Sequence, residues 1–142
     1  MILVDANVLI YAHNEIAEQH ERCKRWLLVT LDAGELISLS WVTILAFLRI
    51  TSGTRFYADP LSLSEVIGIV GRWLTHPGIS VLHPTERHWA ILSNLIDEGQ
   101  AKGPLIMDAH LAALAIEHGA TLCSTDRDFT RFKGLRLLNP LE

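Results

Sequence analysis

The sequence predicts a three-layer α/β domain, with a central, mostly parallel β-sheet flanked by helices. Short apolar runs of strand length alternate with longer segments of helical spacing through the 142 residues. The connections are short and contain turn residues, as in Asp32-Ala33-Gly34 and His76-Pro77-Gly78. Strands that alternate with helices in this way are typical of parallel sheets, because each helix carries the chain back to the edge where the next strand starts. No repeat or linker interrupts the pattern, so we expect a single domain over residues 1–142.

Two strands and three helices are predicted in the first half of the chain. The strands cover residues 2–4 and 36–39, and the helices cover residues 16–31, 41–50 and 62–74. Apolar side chains at helical spacing predict the first of these helices. Ser40 precedes the second, and Ser62 or Ser64 begins the third, because a serine hydroxyl can accept a hydrogen bond from a free N–H group of the first turn. Residues 53–60 are predicted to form a loop.

Three strands and two helices are predicted in the second half. The strands cover residues 79–82, 121–123 and 135–138, and the helices cover residues 85–96 and 108–118. Residues 99–104 lead into a strand-like apolar run, 105–107, which Asp108 follows. The alanine-rich helix that starts at Asp108 is expected to end at Gly119, because glycine adopts the left-handed conformation that closes many helices.

Four aspartates follow strand-like apolar runs, namely Asp5, Asp108, Asp126 and Asp128. In a parallel sheet, residues at the carboxyl ends of strands meet in one crevice, so these acids can converge although they are far apart in the sequence. Carboxylates that converge without a cation repel one another unless a metal ion or a proton neutralises them. The pattern therefore favours a site for a hard divalent ion, and with it phosphoryl chemistry.

Each of these aspartates also has a structural alternative. Asp5 can form an Asx turn or cap a helix, and Asp108 can cap its own helix, where a carboxylate is favoured over alanine by roughly 0.5–2 kcal/mol. Asp126 and Asp128 can be turn residues. Taken one at a time these alternatives are open, but a common site accounts for all four positions at once.

The net charge of −4 is concentrated in the same four residues. Without them, the remaining twelve acidic side chains balance twelve lysines and arginines. Four of those cations lie close to the last acidic pair, namely Arg127, Arg131, Lys133 and Arg136. They can attract a polyanion to a metal-filled site, or they can form a solvated basic loop. The sequence leaves both interpretations open.

The bulk composition predicts a covered apolar surface. Hydrophobic residues make up 49% of the chain, a high share for a small soluble monomer. We therefore expect a second copy or another chain to cover part of the surface. The apolar runs are too short to cross a bilayer and no secretory signal is visible, so a cytoplasmic protein with buried Cys23 and Cys123 thiols is expected. The histidines lack metal-binding spacing, and the four tryptophans are expected to be core or interface anchors.

Three segments resemble the acidic motifs of PIN domains, and most closely those of VapC-type toxins from bacterial toxin–antitoxin pairs. The segments are residues 3–9, 108–115 and 124–129, with further similarity at 40–50 and 139–141. The resemblance implies a Mg²⁺-dependent endoribonuclease, with Mn²⁺ as a substitute, that inhibits translation by cutting tRNA or rRNA. It also implies a VapB-type antitoxin as partner and a homodimer. The catalytic residues it implies are Asp5, Asp108, Asp126 and Asp128, and the first three would hold the metal.

One position departs from the family pattern. Many PIN domains carry a glutamate on the helix that follows the second strand, and here Ala46 stands near that place. A first metal ion can still be held by Asp5 and Asp108, whereas a second metal site would depend on Asp126 and Asp128. We therefore expect one strong metal site and at most a weak second one.

Further polar residues are expected around the acids. Asn7 and Thr125 are expected to hydrogen-bond water molecules at the site. The arginines that could contact RNA phosphates are Arg49, Arg55, Arg127 and Arg131.

Two other classes of function compete with this interpretation. A phosphatase of the haloacid dehalogenase type needs a second acid two residues after the first, and Asn7 occupies that position. A non-catalytic or weakly catalytic module that binds RNA or a partner stays open, because the helix glutamate is missing.

Overall fold

The computed structural model, which describes residues 1–54 and 59–142, is built on a sheet of five parallel strands. The strands are β1 (Ile2–Val4), β2 (Ile37–Leu39), β3 (Ile79–Val81), β4 (Thr121–Cys123) and β5 (Leu137–Leu138). Their order in the sheet is β3-β2-β1-β4-β5, and every pairing is parallel. All five predicted strands are therefore present. Because Val4 pairs with Cys123, the chain leaves β1 and β4 at neighbouring points of one sheet edge.

Six α-helices and one 3₁₀ helix accompany the strands in the described ranges. They are α1 (Ala6–His13), α2 (His20–Asp32), α3 (Trp41–Thr51), α4 (Leu63–Thr75), α5 (His88–Glu98), α6 (Leu105–Glu117) and the 3₁₀ helix Arg127–Arg131. Ser40 and Ser62 cap α3 and α4 through their hydroxyl groups, as predicted. The predicted loop at 53–60 lies partly outside the described residues. No helix of the described ranges is long and apolar enough to cross a bilayer.

Two helices begin later than the sequence predicts. The first starts at His20 and not at residue 16, and α5 starts at His88 and not at residue 85. In both cases the preceding residues form turns: the Ala17 N–H donates to the Asn14 carbonyl (3.0 Å), and the His88 N–H donates to the Thr85 carbonyl (3.0 Å). Apolar spacing therefore located these helices but not the turns before them.

The helix α1 was not assigned from the sequence, because residues 6–13 are too uniformly apolar to show a polar face. In the structure Asp5 caps this helix, and its Oδ1 accepts a hydrogen bond from the Ala6 N–H at 2.7 Å. Val8 and Leu9 are buried beneath it. The structural alternative for Asp5, that it caps a helix, is therefore confirmed.

The strand-like interpretation of residues 105–107 is wrong. These residues form the first turn of α6, after Pro104, so that Asp108 lies inside the helix and neither ends a strand nor caps the helix. Proline fits at a helix start because its fixed φ is helical and the N–H that it lacks has no partner there. Asp108 thus reaches the sheet edge from a helix.

Apolar layers cover both faces of the sheet, which confirms the three-layer prediction. Alternate residues of β1 point to opposite sides, so Val4 joins the core under α1–α4 and Leu3 joins the core under α5 and α6. Both side chains are fully buried. Cys23 and Cys123 are buried and form no disulfide, as expected.

The buried acid Glu117, at the end of α6, forms hydrogen bonds with the start of α5 and the turn before it. Glu117 is 6% exposed, and its Oε1 accepts a hydrogen bond from the Thr85 N–H at 2.8 Å. Its Oε2 lies 2.7 Å from His88 Nδ1, and His88 Nε2 lies 2.9 Å from His110 Nδ1. The Arg87 guanidinium donates to the Glu117 carbonyl at 2.6 Å. This arrangement was not predicted from the sequence, because its members are far apart in the chain.

Replacing Glu117 by alanine is expected to lower the free energy of unfolding by about 2–3 kcal/mol, because it removes the carboxylate that accepts from the Thr85 N–H and that pairs with His88 Nδ1. Glu117→Gln should lose less, since the amide oxygen still accepts from Thr85. Urea denaturation followed by circular dichroism measures both values. Glu86→Ala, at an exposed neighbouring position, is the control. Equal stability of E117A and the native protein would contradict this role.

Candidate functional site

The carboxylate of Asp5 is fixed at the carboxyl end of β1 by three hydrogen bonds. Its Oδ1 accepts from the Ala6 N–H at 2.7 Å. Its Oδ2 accepts from Ser124 Oγ at 2.8 Å and from Asn7 Nδ2 at 3.2 Å. Ser124 follows β4, so these contacts join the ends of the two central strands.

Asn7 and Ser124 extend this network to the segment after β4. Asn7 Nδ2 also lies 3.2 Å from Ser124 Oγ, and Asn7 Oδ1 accepts from the Thr125 N–H at 3.3 Å. Ser124 Oγ accepts in turn from the Asp126 N–H at 3.0 Å. Asn7 and Thr125 were predicted as polar residues of the site, whereas Ser124 was not. The signal for Ser124 was its position directly after β4, which is where polar residues collect in a parallel sheet.

Three of the four predicted aspartates form a tight group. One carboxylate oxygen from each of Asp108, Asp126 and Asp128 lies within 4.8 Å of the other two. Asp126 caps the 3₁₀ helix and its Oδ1 accepts from the Asp128 N–H at 2.9 Å, which fixes the spacing of the pair. Asp5 lies beside this group, and its side chain is held against Ser124.

Burial and neighbouring carboxylates raise the pKa values of two of the aspartates. The pKa of Asp108 is raised to about 6, chiefly by burial and further by the charges of Asp126, Asp5 and Asp128, against a smaller opposing effect of the Arg131 guanidinium. Burial also raises the pKa of Asp5; the hydrogen bonds from Ser124 and Ala6 oppose the shift, and the Asp126 charge adds to it. All four acids therefore belong to one electrostatic unit, although Asp108 comes from a helix.

The donor set of this unit fits a hard divalent cation. It consists of carboxylate oxygens, the ligands that Mg²⁺ and Mn²⁺ prefer, and it contains neither thiolate nor imidazole. Burial and, to a lesser extent, repulsion raise the pKa values of Asp5 and Asp108, and a bound cation would offset both effects. The site is thus chemically suited to a divalent metal.

A groove of about 570 Å³ opens beside Asp5 and Asp108. Its walls are formed mainly by apolar side chains of α3 and α6, and the full lining is Asp5, Ala6, Val42, Thr43, Leu45, Ala46, Arg49, Met107, Asp108 and Leu111. Ala46 faces this groove, at the place where a glutamate was expected from the resemblance. No acid of α3 therefore reaches the carboxylate group.

The arginines near the site differ in how they are held. Arg131 donates to the Gly99 carbonyl at 2.9 Å and to the Asp128 carbonyl at 3.3 Å. Arg127 forms an exposed ion pair with Glu142. Arg49 lines the groove and makes no hydrogen bond or ion pair with any described residue. Arg55 lies outside the described residues.

Comparison with protein families identifies the family of the domain that contains these four aspartates. The model of the PIN domain matches residues 2–135, a range that includes all four aspartates. This chain belongs to the PIN domain family. The PIN domain fold accounts for the meeting of motifs from β1, α6 and the segment after β4 at one edge of the sheet.

Curated relatives named as VapC ribonucleases are similar to this chain over almost their whole length. Ribonuclease VapC37 of Mycobacterium tuberculosis is 40% identical over 140 residues, which cover 99% of this chain and 97% of that protein. Ribonuclease VapC33 of the same organism is 36% identical over 141 residues, which cover 99% of both proteins.

Solved structures share the fold at low sequence identity. The VapBC2 structure from Rickettsia felis, bound to a DNA fragment from its promoter, aligns with a TM-score of 0.73 at 17% identity and covers 98% of both chains. The structure of VapC20 from Mycobacterium tuberculosis, described as a toxin that cleaves the sarcin-ricin loop, aligns with a TM-score of 0.63, also at 17% identity. It covers 96% of this chain and 99% of that chain.

Proposed function

We propose that this protein is a Mg²⁺-dependent endoribonuclease and the toxin of a VapBC-type toxin–antitoxin pair. The observation that carries the proposal is the group of aspartate carboxylates within 4.8 Å of one another at the edge of a PIN domain sheet. Its support is the similarity, over nearly the whole chain, to proteins named VapC ribonucleases. Cleavage of tRNA or rRNA would inhibit translation.

In the proposed mechanism Asp5, Asp108 and Asp126 would hold the ion, and Asp128 would contribute directly or through water. A divalent ion bound there would supply an activated water for attack on a phosphodiester and would offset the charge that develops on the leaving oxygen. Ser124 and Asn7 already orient the Asp5 carboxylate through their hydrogen bonds. RNA selectivity would come from loops whose bases are unpaired.

Metal dependence is the direct test of this function. Structured RNA should be cut in Mg²⁺ or Mn²⁺, remain intact in EDTA, and be cut again when Mg²⁺ is restored. Calorimetric titration should give one strong divalent site, because Ala46 supplies no ligand for a second ion. Undiminished cleavage in EDTA would refute the mechanism, and two equally tight sites would refute the one-ion proposal.

The alternative is a PIN module that binds RNA or a partner without cutting. It is favoured by one observation, the absence of an acid on the α3 wall of the site. The cleavage assay separates the two functions, since the alternative predicts RNA binding with no products at any Mg²⁺ concentration.

Exposed apolar side chains on α3 and α4 support a partner surface. Trp41 is 47% exposed, and Leu63 and Ile67 are 70% and 67% exposed. A VapB-type antitoxin and a second copy of the chain are the proposed occupants of such surfaces. Phe47, on the same helix α3, is fully buried against Trp73 at a ring distance of 4.6 Å and does not belong to this exposed surface.

A further inference from the structure

The groove beside the acids has the size and lining of a small-ligand site. Its volume of about 570 Å³ lies within the range of about 300–1,000 Å³ that is usual for such sites. Leu45 and Met107 stand on opposite walls, on α3 and α6, and Ala46 leaves space between them. Leu45 is 58% exposed and Met107 is 51% exposed, so about half of each apolar residue is open to a ligand.

The groove is continuous with the proposed reaction site. Asp5 and Asp108 form part of its lining, so a ligand in the groove lies directly against the carboxylates. Arg49 lines the same groove with a guanidinium that no described residue engages. Apolar walls, a cation and a metal-binding group are thus combined in one depression.

This combination matches the chemistry of a nucleotide. A phosphate group is drawn to a guanidinium and to a metal-filled carboxylate site, whereas a base offers a flat, largely apolar face. The lining carries one guanidinium and two carboxylates beside its apolar side chains, and these groups suit a nucleotide with its phosphate.

Resting on the proposed ribonuclease function, we propose that the groove binds one unpaired base next to the scissile phosphate, with Arg49 holding the adjoining phosphate. Ala46 is the residue that makes room for the base, because any larger side chain there would fill the space between α3 and α6. The substrate class is therefore RNA in which a nucleotide beside the cut is unstacked, as in a loop or a single strand.

The test compares an intact RNA oligomer with the same oligomer lacking that one base. Cleavage of a randomised single-stranded RNA pool first identifies the preferred sequence around the cut. The native protein is then expected to cut the intact oligomer with a kcat/KM roughly tenfold above that of the abasic oligomer, since losing the apolar contact of the base should cost about 1.4 kcal/mol, the free energy that corresponds to tenfold.

Three variants locate the effect in the groove. Ala46→Leu fills the space and Leu45→Ala removes an exposed wall without crowding the core, so both should bring the ratio of the two kcat/KM values several-fold closer to one. Arg49→Gln should raise KM for both oligomers. Ala90→Leu makes the same change as A46L at an exposed position of α5 and should leave the ratio and the activity unchanged.

Equal cutting of the two oligomers by the native protein would overturn the proposal. So would an unchanged ratio in both A46L and L45A, and loss of antitoxin binding in these variants would then assign the groove to a protein partner. If neither oligomer is cut in Mg²⁺, the ribonuclease function itself fails and the base site falls with it.

Discussion

Asp108→Asn is expected to reduce RNA cleavage more than roughly hundredfold. Residues that merely support metal ligands cost about 10–100-fold when replaced, and Asp108 belongs to the carboxylate group itself. Asp5→Asn should have a comparable effect. Initial rates on structured RNA in saturating Mg²⁺ measure both. Activity at the native level in either variant would contradict the proposed assignment.

The same substitution is expected to raise the melting temperature of the metal-free protein by a few degrees at neutral pH. The pKa of Asp108 in the folded protein is about 6, above its ordinary value of 3.8, so the folded state holds the proton more tightly than the unfolded state does. The contribution of this group is therefore most favourable below pH 3.8 and is lost as the pH rises through 6. Asparagine removes the penalty that remains above pH 6.

Thermal unfolding in EDTA tests whether the substitution raises or lowers the melting temperature. The difference between Asp108→Asn and the native protein should be largest near pH 7.5 and should shrink toward pH 4. Asp97→Asn, an exposed position on α5, is the matched control and should show no such trend. A lower melting temperature for D108N at neutral pH would show that Asp108 stabilises the fold and that repulsion within the acidic group is minor.

Co-expression with the proposed antitoxin is expected to change the protein from a toxic, self-associating species into a soluble and inactive complex. The exposed apolar residues on α3 and α4 would be covered by an amphipathic segment. An arginine or lysine of that segment would reach the aspartates and compete with the metal, because a cation there relieves the same repulsion.

Growth of the host, size-exclusion chromatography and RNA cleavage follow the three parts of this prediction. An antitoxin whose inserted cation is replaced by glutamine should still bind but should inhibit less. A toxin carrying Asp108→Asn should be harmless alone and should still form the complex. Expression of the native chain alone as a harmless monomer, with no gain in solubility from the co-expressed antitoxin, would contradict this prediction.

Periodicity and capping residues predicted most of this fold correctly. The strands were found because each is a short apolar run that lies between turn residues. Two cases failed for opposite reasons. The helix α1 was missed because it is apolar on most sides, and residues 105–107 were given to a strand because three apolar residues fit a strand as well as a helical turn.

The site was predictable in its residue types but not in its geometry. The acids were found because carboxylates at the ends of parallel strands converge, and that argument held for Asp5, Asp126 and Asp128. Asp108 joins the other aspartates from inside α6, and its position depends on how α6 packs on the sheet, which the sequence pattern does not show. The groove was not predictable either, since it depends on the distance between α3 and α6.

The double role of Asp5 affects how this protein can be inactivated in a growing population. Asparagine caps a helix about as well as aspartate, so Asp5→Asn removes the charge and leaves the start of α1 capped. Alanine removes both. One base change converts an aspartate codon into an asparagine codon. A single point mutation can therefore produce a copy of the protein that folds but is inactive. Such a copy would retain its partner surface and would draw antitoxin away from active copies in the same cell.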